Sequence, residues 1–376
     1  MNGIYLHIPF CHSRCIYCDF YSTLEGEAMR WAYVNSLCNE LRQRATYLPS
    51  RRVESVYVGG GTPSLLSADE WTCIWDTIRS TYDIAANAEI TVELNPDDVT
   101  VAYAQMLRAL GVNRVSMGVQ TFDDALLRLL NRRHTAQGAL AAYDALQRAG
   151  FANISMDLIY GLPGQTLAAW NEDLTQMLAC HPAHLSAYTL MYEEGTPLFE
   201  LLKQGRVAEA DEEVSAQMFQ SLMERTAAAG YEHYEISNFC LPRQYSRHNR
   251  GYWTGMAYLG CGAGAHSYNL RARHWNEANV RAYVQAKGDT ATAGLLREET
   301  LTRSNLHNEM LLTSLRTREG LPLQAFRTQF GEQALQRILQ RAQKFPEQLE
   351  LTATHLHLTR EGIFVSDMVI SDLMEV

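Results

Sequence analysis

The chain has 376 residues, of which 47% are hydrophobic and 20% charged, and its formal net charge is −10. That length suits one large domain plus a smaller one, and the acidic balance offers no footprint for a phosphate backbone, so no nucleic acid is expected as a partner. No apolar run reaches the roughly 18 residues that span a bilayer, and the opening MNGIYLHIPFCHSRC lacks the basic start and long apolar core of a signal peptide. A cytoplasmic protein with no transmembrane segment is expected; peripheral association with a membrane and pairing into a homodimer stay open.

In chain order, β-branched-rich apolar runs at 4–9, 53–58, 89–94, 114–119, 154–160 and 184–191 predict six strands. Amphipathic stretches separate them. In the first, Met29, Tyr33, Leu37, Leu41, Ala45 and Leu48 recur at helical spacing. The second opens on Ser67 with Glu70 three residues later, a capping box. Gly111, Gly150 and Gly230 each follow a helical stretch and precede an apolar residue, which marks three helix ends. Such alternation builds a parallel sheet with right-handed crossovers. Six units are fewer than the eight of a closed barrel, so an α/β fold with an open, partial (β/α)6 barrel is expected over 1–230; a flat doubly wound sheet is the alternative.

Ligands of parallel α/β sheets bind at the C-terminal ends of the strands. Here those ends hold glycine and polar residues in succession: the cysteine loop after the first, Gly59-Gly60-Gly61-Thr62-Pro63, Glu93-Leu94-Asn95-Pro96, Gly118-Val119-Gln120, and Gly161-Leu162-Pro163 after a strand carrying Asp157. One rim is therefore the expected site.

Eight cysteines in such a chain are expected as reduced thiols. Cys38, Cys73, Cys180 and Cys240 read as small apolar residues, and Cys261 lies in a glycine-rich loop. Cys11, Cys15 and Cys18 form C-x3-C-x2-C directly after the first strand, a spacing that lets one loop wrap a soft metal centre. Three thiolates are one short of a structural zinc site and suit a cubane with one iron left open. Zinc completed by a distant ligand such as His12 stays open.

MNGIYLHIPFCHSRCIYCDF followed by YVGGGTPSLL, with GVQTF, the Asn131-Arg132 pair, DLIYGLPGQT and HNRGYW further on, resembles the radical-SAM superfamily, and within it the coproporphyrinogen III oxidase-like branch. The resemblance implies a [4Fe–4S] cluster on Cys11, Cys15 and Cys18 whose open iron takes the amino and carboxylate groups of S-adenosylmethionine (SAM). It matches Gly60, Gly61 and Thr62 to the loop beside the methionine moiety. It also matches Tyr5 and Tyr17 to positions near SAM, and Glu93, Gln120, Arg132 and Asp157 to residues holding its polar groups. Bare glycine backbone can approach a ligand closely, acidic groups suit an ammonium or ribose hydroxyls, and arginine suits a carboxylate.

Within the branch, the decarboxylating oxidases carry a fourth cysteine two residues after the third, where this chain has Phe20, and an N-terminal extension, where only ten residues precede Cys11. The HemW-type heme chaperones start close to the cluster and carry HNxxYW, present here as His248-Asn249-Arg250-Gly251-Tyr252-Trp253. The resemblance thus implies a heme chaperone serving heme-acceptor respiratory proteins. His248, Tyr252 and Trp253 are the heme candidates, an imidazole as axial ligand and two flat rings as porphyrin surfaces. An oxygen-independent coproporphyrinogen III oxidase is the alternative, and a zinc-dependent structural protein a third reading. The stretch from Gly260 to His266 is not a dinucleotide fingerprint, because no strand–loop–helix unit surrounds it. Residues 231–300 read as a connecting region. Helical stretches at 305–315, 323–330 and 333–344, two short strands and a final helix predict a helical, winged-helix-like domain over 301–376, with a structural or docking role.

Overall fold

Each of the six apolar runs pairs in parallel with the next. The computed structural model describes residues 1–375. In it, β1 (Asn2–Ile8), β2 (Arg52–Gly60), β3 (Asp83–Leu94), β4 (Arg114–Gln120), β5 (Asn153–Tyr160) and β6 (His184–Thr189) lie side by side in chain order. Alternation along the strands splits them into two faces. Ile4, Leu6, Val56, Val58, Val92, Val115, Met117, Ile154 and Met156 pack outward with the covering helices, which contribute Tyr33, Leu37, Trp71, Ile74 and Trp170 to one core. The other face carries Tyr5, Tyr57, Glu93, Arg114, Ser116, Ser155, Asp157 and His184, and curves around a polar lumen.

The helix signals act as the residue types require. Ser67 Oγ accepts from the Glu70 amide, and Glu70 Oε2 accepts from the Ser67 amide at 2.7 Å, at the start of the helix Ala68–Thr81. Gly111, Gly150 and Gly230 take the positive φ that ends their helices.

The stretch 231–300, read from sequence as a connection, continues the same sheet. On the β6 edge lie β7 (Glu232–Glu235) and β8 (Asn238–Cys240), β8 antiparallel to β6. On the β1 edge lie β9 (Ala257–Cys261), parallel to β1, then β10 (His266–Tyr268), β11 (Ala272–Asn276) and β12 (Leu296–Thr300). The strand order is β12-β11-β10-β9-β1-β2-β3-β4-β5-β6-β8-β7, and its two ends do not pair, so the barrel stays open. These added strands have three to five residues and no sustained alternation, which hides them in the sequence. Cys261 accordingly ends a buried strand and does not sit in a loop.

Beyond Arg303 a second core gathers Leu311, Leu315, Leu321, Phe326, Leu335, Ile338, Val369 and Leu373. Its helices Arg303–Leu315, Leu323–Phe330 and Glu332–Ala342 pack beside a three-stranded antiparallel sheet of β13 (Leu321–Pro322), β15 (His355–Leu358) and β14 (Leu349–Leu351). The Arg318 amide donates to the Tyr234 carbonyl at 3.0 Å, tying this unit to β7. Among the described residues, no helix is long and apolar enough to cross a membrane.

Candidate functional site

The chain leaves β1 and enters the cysteine loop, which is pinned at several points. The Cys11 amide donates to the Thr23 carbonyl at 2.9 Å, Thr23 to Pro9 at 2.7 Å, and Ile16 to Leu130 at 3.2 Å. Beyond the end of β2, the Gly61 and Thr62 amides reach the Ile8 and Phe10 carbonyls at 2.8 Å, so the glycine-rich loop is hooked onto the cysteine loop. All three cysteines are half-buried. Burial pushes the Cys11 thiol up, with the Thr62 hydroxyl opposing it and Cys15 adding to it. Burial raises the Cys18 thiol to about 11, opposed by the Phe20 backbone and aided by Cys15 and Cys11. Such thiols lose their protons only to a compensating cation. Among the described residues no three His, Cys, Asp or Glu side chains stand as a single-ion cage. Three soft thiolate donors on one loop are the ligand type that iron–sulfur clusters take. The donor set therefore fits a cluster. His12 and Phe20 are exposed on the same loop.

Around the loop, strand ends converge. Thr62 Oγ1 donates to Cys11 Sγ at 3.4 Å and accepts from Asn95 Nδ2 at 3.1 Å. Arg132 Nη1 donates to Cys15 Sγ at 3.4 Å, and its Nη2 to Asn95 Oδ1 at 2.9 Å and the Gly118 carbonyl at 2.8 Å. Its Nε has no partner. Arg132 is therefore mostly committed to the loop and its neighbours, with one donor left for a ligand. Two left-handed residues set this geometry: Asn131 at φ 59, and Gln120 at φ 68 next to a bulge in β4. A left-handed glutamine costs of order 1–3 kcal/mol and re-aims its side chain at the rim.

Glu93 Oε1 accepts from the Tyr57 hydroxyl at 2.7 Å and Oε2 from the Gly60 amide at 3.0 Å. Asp157 accepts from Ser116 at 3.0 Å and Ser155 at 3.1 Å. Burial raises the pKa of both carboxyls, and the hydroxyl and amide donors pull them back down. Tyr5 lines the same lumen, its hydroxyl 2.9 Å from His7 Nδ1. Tyr17 packs with Leu126, Leu130, Ile159, Leu162 and Leu190 at the loop's base. The glycines have a first duty that sequence reasoning missed. A Cβ on Gly59 would meet the Glu93 carboxylate at 2.7 Å, and one on Gly60, at φ 108, the His7 ring at 2.5 Å. Their bareness makes room for the protein's own side chains. Asn95, His7, Tyr57 and Ser116 also went unpredicted; only Asn95, before a proline at a strand end, left a signal.

The HNxxYW segment forms the helix Arg247–Trp253, which plugs the other, N-terminal, mouth of the barrel. Glu89 of β3 accepts from the Arg247 and His248 amides at 2.9 Å, fixing the helix start. The structure divides the three heme candidates. His248 is fully buried, with Nδ1 2.9 Å from Ser55 Oγ and Nε2 2.9 Å from the Tyr252 hydroxyl. Both ring nitrogens are engaged, so the imidazole is not presented as an axial ligand. Burial pushes its pKa down to about 3, and Arg114 adds to that. Tyr252 and Trp253 instead line a cleft of about 700 Å³ between this helix and the C-terminal unit, with Tyr258, Tyr268, Met310 and Leu312. The ion pairs Arg250–Glu319 and Arg273–Glu309 stand at its edge.

An open six-unit barrel with a three-cysteine loop on its rim is the build of the Radical SAM superfamily, whose family model matches residues 5–177. The HemN C-terminal domain matches residues 301–365. The heme chaperone HemW of Lactococcus lactis is 34% identical over 98% of this chain and 96% of its own length. That of Mycobacterium tuberculosis is 35% identical over 99% and 94%. In fold the chain resembles coproporphyrinogen III oxidase (HemN) from Escherichia coli, with a TM-score of 0.86 over 99% of this chain and 90% of that one at 22% identity. The chain belongs to the radical SAM superfamily and, within it, to the family of HemW heme chaperones.

Proposed function

We propose that this protein binds heme in the cleft beside Tyr252 and Trp253 and hands it to acceptor proteins, respiratory ones among them, in the cytoplasm. The observation that carries the reading is the cleft itself. Its volume of about 700 Å³ lies in the range of ligand sites, which span about 300–1,000 Å³. Four aromatic rings and Met310 give a porphyrin flat apolar surface, and Arg250 and Arg273 stand where carboxylates of a bound ligand exchange places with Glu319 and Glu309.

In the same reading, Cys11, Cys15 and Cys18 hold a [4Fe–4S] cluster, with SAM over the lumen. When bound, that pair supplies one-electron chemistry and an iron open to the amino and carboxylate groups of SAM. The chain's own residues do the positioning. Thr62 and Arg132 steady the Cys11 and Cys15 sulfurs, and Glu93 and Asp157 offer negative charge to the cationic ligand. Gln120 and the free Arg132 Nε face its polar groups.

The oxidase reading has one observation for it, the likeness of fold to coproporphyrinogen III oxidase, and one against it: Phe20, exposed where that chemistry has a fourth cysteine. The test is anaerobic heme titration of the reconstituted protein beside a coproporphyrinogen III decarboxylation assay. About one heme per chain and no decarboxylation are expected. Decarboxylation above background overturns the chaperone reading.

A further inference from the structure

Arg114 opens β4 with its side chain on the lumen face, and it is 1% exposed. Among the described residues, no group accepts from its Nε, Nη1 or Nη2, and no carboxylate lies within ion-pair distance. A buried guanidinium without a direct partner is costly and calls for an explanation.

Register locates it. Arg114 stands opposite Thr91 and Asn153, whose Oγ1 and Oδ1 also lack partners. Glu93 and Ser116 stand one inward position further along, and Asp157 two. Both carboxylates spend their oxygens on neutral donors: Tyr57 and the Gly60 amide, and Ser116 and Ser155. A third buried carboxylate, Glu89, stands one inward position before Thr91 and is held by the Arg247 and His248 amides. The tyrosines and histidines facing this space are neutral: Tyr5 and Tyr252 beside Glu93, Tyr188 beside both carboxylates, and His184, His248 and Tyr234 beside Arg114. Glu235 lies at the β7 edge, held by Asn238 and the Ser237 amide. Two carboxylates buried in one lumen oppose each other's ionisation, as nearby like charges do. Among the described residues, Arg114 is the one buried cation beneath them on the lumen face.

We infer that Arg114 is a positioning residue of the proposed SAM site: a counter-charge below Glu93 and Asp157 that keeps both ionised in one lumen without occupying either. Direct ion pairing would consume the oxygens that a ligand needs. A cation set one layer down leaves their remaining lone pairs free, and with both ionised the two carboxylates and Arg114 leave one excess negative charge that the ligand's sulfonium offsets. The inference rests on the SAM reading, so the experiment has one arm without SAM.

Arg114→Gln keeps hydrogen-bond donors and removes the charge; Arg114→Lys keeps the charge. Without SAM, infrared difference spectra of Arg114→Gln at neutral pH should show a protonated carboxyl band that wild type and Arg114→Lys lack, and a second change, Glu93→Gln or Asp157→Asn, should remove it. In reconstituted protein, SAM affinity of Arg114→Gln should weaken about tenfold per pH unit below a titration point moved into the neutral range, recover at higher pH, and follow the wild-type profile in Arg114→Lys. If Arg114→Gln does not fold, the double variant Arg114→Gln/Glu93→Gln should, because it restores the balance. Absence of the carboxyl band, a wild-type pH profile in Arg114→Gln, or a double variant no more stable than the single overturns the inference. A wild type that fails to bind SAM overturns the SAM reading alone and leaves the infrared arm to decide on Arg114.

Discussion

Tyr57 donates its hydroxyl to Glu93 Oε1 at 2.7 Å while its ring lies against His248, with centroids 5.2 Å apart. One side chain thus touches both the rim carboxylate and the helix that plugs the barrel's other end. Tyr57→Phe keeps the ring contact and deletes the donor. Without that donor Glu93 is less well held and ionises less readily, so SAM binding should weaken; Glu93→Gln removes the charge itself, and a hydrogen bond to a charged group contributes about 1.5–3 kcal/mol, so there SAM should bind about tenfold or more weakly. Calorimetric titration of cluster-loaded protein checks this; an unchanged Kd in both variants removes Glu93 from the ligand set.

The cluster assignment rests on three half-buried thiols on one pinned loop. Replacing Cys11, Cys15 and Cys18 together by Ala should abolish iron, labile sulfide and brown absorbance after anaerobic reconstitution. Arg132→Met should leave metal content intact, since of the three cysteine sulfurs Arg132 touches that of Cys15 alone, and should make the cluster easier to lose in air. A triple variant that reconstitutes like wild type sinks the assignment.

His248 and Trp253 should separate cleanly. His248→Ala removes a buried ring with two hydrogen bonds, so it should cost about 2–4 kcal/mol of stability and leave the spectrum of bound heme unchanged. Trp253→Ala removes a wall of the cleft and should weaken heme binding with SAM affinity unaffected. Melting temperature and Soret titration on both variants check this. A changed Soret band in His248→Ala at undiminished stability would restore His248 as an axial ligand.

His134 sets an acid limit. Its ring is 5% exposed, with Nε2 3.0 Å from the Val119 carbonyl. Burial, with Arg132 adding, lowers its pKa from 6.5 to about 4. The unfolded chain therefore takes up this proton first as pH falls. Stability present above pH 6.5 should be lost progressively down to about pH 4, by up to about 3 kcal/mol. Urea unfolding of wild type and His134→Gln across that window checks it: the difference between the two should shrink as pH falls, and a constant difference rules out this role.

Six strands, their parallel order, the capped helix at Ser67 and the cysteine loop were legible in the sequence because each is local. Strand and helix periodicity, turn chemistry and close thiol spacing are all written within a few residues. The added strands β7 to β12 were not legible. A three-residue strand such as His266–Tyr268 has no pattern of its own and exists because β9 and β11 offer it hydrogen bonds. The site divides in the same way. Which residues reach the rim followed from strand ends, but what each one touches depended on register and long-range contact. Gly60 reads as ligand space and is needed by the ring of His7, 53 residues earlier in the chain. His248 reads as an iron ligand, yet Ser55 and Tyr252 engage both its nitrogens. Arg114 reads as the ordinary start of a strand, and only closure of the lumen leaves it buried beneath two carboxylates. Burial and pairing across tens or hundreds of residues are properties of the folded chain, and no local pattern encodes them.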